Sequence, residues 1–253
     1  MILLAISAAG LLLFVWPFVA LGAPPVAAAT SLAFGTVAAF AVVEALTRRL
    51  DSRRFALLAA IAAVDAALRL VLVEGIGGFS PIFFLILVAG YVFGPSFGFL
   101  CGATSLLASA VVTGGIGPWL PYQVFACGWI GALAGLAGLR RTGAYGVRDV
   151  VVLGAIAVLT GFLFGALLDV WDWSTFYRNA PGFGYVSGAS SGDLARRFAS
   201  FYVTTSAVWD SFRAVGDVIA IAVLGLPVMA AFGRMRDRLS FTRADAPAAS
   251  SLR

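Results

Sequence analysis

The chain has 253 residues, of which 61% are hydrophobic and only 11% charged, and its mean hydropathy is +1.00. A water-soluble domain carries roughly a quarter charged residues, so the composition indicates an integral membrane protein. All 17 basic residues are arginine and histidine is absent, which removes His-dependent triads, His metal sites, lysine Schiff bases and the lysine of a Walker A loop.

A helix crossing about 30 Å of hydrocarbon needs roughly 20 mainly apolar residues, and that ruler divides the chain at its charges and its Gly/Pro clusters. The first predicted span is 2–21, closed by Gly22, Pro24 and Pro25. No arginine precedes it and a second full span follows, so it reads as a transmembrane helix rather than a signal peptide. The second span, 26–46, ends at Arg48, Arg49, Asp51, Arg53 and Arg54; the third, 55–73, ends at a glycine-rich loop, 74–81. The uncharged stretch 81–113 is too long for one crossing and is interrupted at Gly94, Pro95 and Gly98, which predicts a tight hairpin whose first helix is short. Spans at 119–139, 150–170 and about 202–232 complete the count, with a polar, aromatic stretch from Trp171 to about Arg197 between the last two.

The expected fold is therefore all-α: a polytopic helical membrane protein of eight spans, an N-terminal two-helix hairpin followed by a six-helix bundle. Residues 1–54 form the hairpin and its basic loop, 55–233 the bundle, and 234–253 a basic, disordered cytoplasmic tail. With eight spans, 12 of the 17 arginines fall on one side and only Arg178, Arg196 and Arg197 on the other. By the positive-inside rule the arginine-rich side and both termini are cytoplasmic, in a multi-pass protein of the cell membrane.

Ionisable groups within the spans are costly and are the first candidates for function. Asp65 and Arg69 are four apart on one helix face, and Asp210, Arg213 and Asp217 form a second stripe three and four apart. Asp65, Arg213 and Asp217 are read as structural ion pairs; Arg69 and Asp210, nearer the outer ends, as ligand contacts. The outer side is also aromatic. Trp119, Tyr122, Trp171, Trp173 and Trp209, with Glu74, Gln123 and Asp172, suit a ligand cup of apolar walls and a few polar groups, whereas an interfacial belt would place aromatics at both faces. Ala59, Ala63 and Ala67, at a spacing of four, make a smooth ridge that admits a close helix, either within the chain or from a partner. Cys101 and Cys127 lie in apolar runs, where a free thiol is a small hydrophobe; no disulfide, metal or cofactor is expected.

That alanine ladder, the segments GGFSPIFFLILVAGYVFGPSFGFLCGATSLLAS and GGIGPWLPYQVFACGWIGALAGL, and the closing run RAVGDVIAIAVLGLPVM occur in an order and spacing that resemble the substrate-binding S component of energy-coupling factor (ECF) vitamin transporters, over about 180 residues from Phe55 to Phe232. The resemblance implies a chain that is not an enzyme and has no ATPase of its own. It implies capture of a vitamin or related micronutrient from outside, and partnership with a transmembrane coupling subunit and two cytoplasmic ABC-type ATPases, with no nucleic acid. The family's small-residue contact with the coupling subunit carries over to Ala59 and Ala63. The GIGPWLPYQ run and the aromatic loop look most like members assigned to cobalamin; riboflavin or thiamine would use a similar cup. The N-terminal hairpin departs from the family's six spans.

Two other classes stand beside this one. An intramembrane enzyme would need a base for its nucleophile or a cluster of carboxylates, and only Asp210 and Asp217 approach that. An ion-coupled secondary transporter would use Asp65, Asp210 or Asp217 as its proton or sodium site.

Overall fold

The computed structural model describes residues 2–20, 23–47, 50–72 and 82–244, and it is all-helical. Nine helices are described: α1 (Ile2–Val19), α2 (Val26–Leu46), α3 (Ser52–Leu72), α4 (Ile82–Phe93), α5 (Pro95–Thr113), α6 (Leu120–Gly138), α7 (Val147–Thr175), α8 (Ser191–Thr205) and α9 (Ala207–Ala244). Six of them, α1, α2, α5, α6, α7 and α9, are long and apolar enough to cross a membrane. Of the remaining two expected spans, α4 has only 12 residues, and α3 carries Asp65 and Arg69 within its apolar stretch.

The break in the long uncharged stretch falls at Gly94, a single residue between α4 and α5 with φ of 95°, where Pro95 starts the next helix. Two expectations are corrected at the C-terminal half. The stretch before the last span contains a helix of its own, α8, capped by Ser190, whose hydroxyl accepts from the Asp193 backbone N–H. The tail from residue 234 is helical to Ala244, continuing α9 through a run with neither glycine nor proline; the rest of the expected tail lies outside the described residues.

The tightest packing lies among α4, α5 and α6. A Cβ at Gly131 of α6 would stand 2.0 Å from the Gly98 carbonyl oxygen of α5, and one at Gly90 of α4 would stand 2.1 Å from the Gly131 carbonyl oxygen. These helices therefore touch backbone to backbone, the arrangement that small residues permit where lipid offers no hydrophobic drive for association. The N-terminal hairpin joins this core rather than standing apart. Phe14 meets Tyr122 edge-on at 5.1 Å, Phe40 meets Phe99 at 5.7 Å, and the Trp129 indole donates to Ser7 Oγ at 3.1 Å.

Large apolar side chains cover the outside of the long helices. Leu4 of α1, Leu46 of α2, Val111 of α5, Val151 of α7 and Val223 of α9 are each more than 60% exposed. Surfaces of this kind in water would aggregate, whereas in lipid they are the solvated face. The six long apolar helices fit a multi-pass membrane protein.

Arg53, Arg54, Arg140, Arg141, Arg148, Arg236 and Arg238 line cavities at the end of the bundle where α2, α4 and α6 finish. Arg178, Arg196 and Arg197 lie at the other end, where Arg178 donates to the Pro17 carbonyl of α1 at 2.7 Å.

Candidate functional site

Inside the bundle, polar groups from α3, α5, α6 and α9 face one another. Asp65 and Asp217 are fully buried and within electrostatic range of each other, and the Cys127 thiol of α6 stands within range of Asp65, Arg69 and Arg213. Both carboxylate oxygens of Asp217 are buried without a hydrogen-bond partner, while Asp65, equally buried, has the Ser105 hydroxyl beside it and Arg69 within electrostatic range. A buried carboxylate left unpartnered costs at least 1–3 kcal/mol by rough reckoning, so such a set invites a proton, a cation or a polar ligand to complete it.

The expected pairings are rearranged. No Asp65–Arg69 ion pair forms; Arg69 instead donates to Ser109 Oγ of α5 at 3.0 Å. Arg213 pairs with Asp210 and not with Asp217, and also donates to the Gly161 carbonyl oxygen of α7 at 3.3 Å. The physical reason is room: a Cβ at Gly165 of α7 would fall on the Asp210 carboxylate, so the glycine leaves the space that this carboxylate fills. Tyr202 of α8 donates its hydroxyl to Asp210 at 2.8 Å, and the Arg213 guanidinium lies 5.1 Å from the Phe164 ring centre. Asp210 is thus satisfied by the chain itself, whereas Asp217 is not.

Of the expected cup, the structure brings Tyr122 and Trp171 together, stacked at 5.0 Å and both buried. Trp173 belongs to a neighbouring cluster with Tyr185 and Phe201, its indole donating to the Phe183 carbonyl at 2.6 Å. Trp119 and Trp209 are exposed, and Gln123 and Asp172 half-buried. Glu74 and the loop 74–81 lie outside the described residues. What sequence reasoning did not single out is Ser105, Ser109 and the Asp169 carboxylate, which accepts from Ser206 Oγ at 2.7 Å and fixes the start of α9 to α7. Hydroxyls on an apolar helix are an ordinary sight, and their spacing of four was the available signal.

The alanine ridge has a clear position. Ala56, Ala59, Ala60, Ala63 and Ala67 are all exposed on α3, while Leu58, Ile61, Ala62, Asp65 and Ala66 on its other side are buried against the bundle. At the arginine-rich end, Arg141 lies over the Tyr145 ring at 3.7 Å. Burial raises the hydroxyl pKa of Tyr145, and the charges of Arg236 and Arg141 oppose that rise.

Among the described residues, no group of three or more carboxylates, cysteines or histidines is placed to hold a metal ion. No family model, no curated protein and no solved structure matches this chain.

Proposed function

We propose that the chain is the substrate-capture subunit of an ATP-driven ECF-type importer, taking a vitamin or related micronutrient, with cobalamin the first candidate, into a site at the outer half of the bundle. The observation that carries this reading is the exposed alanine face of α3. A helix that buries a charged face inward and turns five small residues outward is suited to dock a second membrane protein closely, as a subunit driven by partner ATPases must. On this reading the chain sits in the cell membrane with its arginine-rich end and both termini in the cytoplasm, and partners a coupling subunit and two ATPases. Binding is passive, and movement of the partners exposes the ligand to the interior.

The test separates capture from docking. Ala63→Trp is expected to abolish association with the coupling subunit and uptake while ligand affinity of the isolated chain stays within about twofold of the parent. Loss of ligand binding in that variant would place Ala63 in the ligand site and sink the docking role. Trp171→Ala should weaken binding of the vitamin, read by tryptophan fluorescence, by tenfold or more, equivalent to about 1.4 kcal/mol. Reporters fused after Arg54, Arg141 and Arg238 should be cytoplasmic, and one within 187–192 exported; an exported reporter at Arg141 contradicts the orientation.

The buried carboxylates Asp65 and Asp217 favour a second reading, an ion-coupled secondary transporter that binds a proton or sodium between α3 and α9. Purified chain in liposomes distinguishes the two: gradient-driven uptake without partners supports the carrier, and binding without uptake supports the capture subunit.

A further inference from the structure

A cavity of about 800 Å³ opens at the arginine-rich end, between the C-terminal turn of α6 and the N-terminal turn of α7. Its volume falls in the range of roughly 300–1,000 Å³ typical of ligand pockets. Three arginines line it, Arg140, Arg141 and Arg148, against one carboxylate, Asp149. That carboxylate is already engaged: it accepts from the Tyr91 hydroxyl at 2.6 Å and the Gly146 backbone N–H at 2.8 Å, and Arg141 lies 3.6 Å away. Neither Arg140 nor Arg148 has a side-chain hydrogen bond or ion pair among the described residues. Arg141 is engaged within the chain: its Nε pairs with Asp149 and its Nη2 donates to the Gly143 carbonyl at 2.6 Å. The cavity therefore holds two uncompensated positive charges, Arg140 and Arg148, beside the N-terminus of a 29-residue helix, whose dipole adds to the attraction for an anion.

The same cavity has an apolar margin. Leu136, Leu139 and Val147 line it and are 51%, 66% and 72% exposed, and Val151 continues the apolar surface one turn along α7 at 64%. A free phosphate has no use for such a margin. A molecule with an anionic head and hydrocarbon tails matches both parts of the site.

We infer that this cavity binds the phosphodiester headgroup of an anionic phospholipid, with Arg140 and Arg148 on the phosphate and the acyl chains along Leu139, Val147 and Val151. The inference is independent of the transported ligand; it needs only that this end of the bundle lies at the membrane surface, where positive charge on the cytoplasmic side meets anionic lipid.

Native mass spectrometry of the full chain from micelles supplemented with phosphatidylglycerol or phosphatidylcholine tests it. The parent should retain phosphatidylglycerol and not phosphatidylcholine. Arg140→Gln with Arg148→Gln should weaken retention roughly thirtyfold, two basic residues at about 1 kcal/mol each, while Arg196→Gln at the opposite end leaves it unchanged. Arg148→Lys, which keeps the charge, should hold most of the affinity that Arg148→Gln loses, so that a folding defect cannot imitate the result. Equal retention of both lipids, or parent-like phosphatidylglycerol binding by the double variant, overturns the assignment. Displacement of the lipid by excess inorganic phosphate would assign the cavity to a free anion and overturn the lipid; retention of the lipid against it supports the lipid.

Discussion

Gly131→Leu is expected to leave almost no folded protein in a detergent extract, and Gly131→Ala to lower the melting midpoint markedly. The cause is geometric. Any Cβ at this position meets the Gly98 carbonyl oxygen at 2.0 Å and its carbonyl carbon at 2.5 Å, atoms of a neighbouring helix backbone that cannot rotate aside. Overpacking a core with flexible neighbours costs about 1–3 kcal/mol, and here two helices must separate, with loss of the Gly90 contact on the far side as well. Gly35→Leu and Gly154→Leu provide the comparison, since nothing lies within 4 Å of a Cβ at either position. They should extract and melt like the parent, or slightly better, because leucine favours the helix more than glycine does. A Gly131→Leu protein that extracts and melts with the parent would mean that α4, α5 and α6 are not packed backbone to backbone.

That glycine contact has a signal in the sequence. Gly98 and Gly102 stand four apart on α5, as Gly131 and Gly135 do on α6, a small-residue spacing of the same kind as the alanine ladder on α3. What the sequence did convey was whatever the bilayer dictates. Span lengths follow from hydrocarbon thickness, the Gly94 break follows from a stretch too long to cross once, and the distribution of arginines follows from the side on which they are held. The α8 helix was missed because its alternation of Arg196, Arg197 and Phe198, Phe201 averages to a polar stretch, although Ser190 and Asp193 gave the signature of a helix start. Site geometry was less legible for another reason. On one helix Arg213 reaches back to Asp210 or forward to Asp217 equally well, and the choice is made by Gly165, a residue on a different helix. Likewise nothing in a run of tryptophans tells which ring stacks in the interior, as Trp171 does on Tyr122, and which, like Trp209, stays on the surface.

Asp210 and Asp217 of α9 should therefore behave oppositely when neutralised. Asp210→Asn removes the counter-charge of Arg213 in a buried setting where Tyr202 and Arg213 both converge on the carboxylate, and breaking a buried pair on one side costs about 3–5 kcal/mol. The interaction of Arg213 with Gly161 and with the Phe164 ring recovers part of that, so a loss near the lower limit is expected, read as a large drop in melting midpoint. Asp217→Asn breaks no hydrogen bond, because its oxygens have no partner, and it relieves an isolated buried carboxylate. This variant should melt at or above the parent. Function then separates the readings: Asp217→Asn with full stability but no ligand or ion binding marks the orphaned carboxylate as the group that the cargo completes, whereas unchanged binding makes it a bystander of the bundle interior. Equal destabilisation by Asp210→Asn and Asp217→Asn would mean that Arg213 serves both carboxylates, and the distinction between a satisfied and an orphaned acid on this helix would fall.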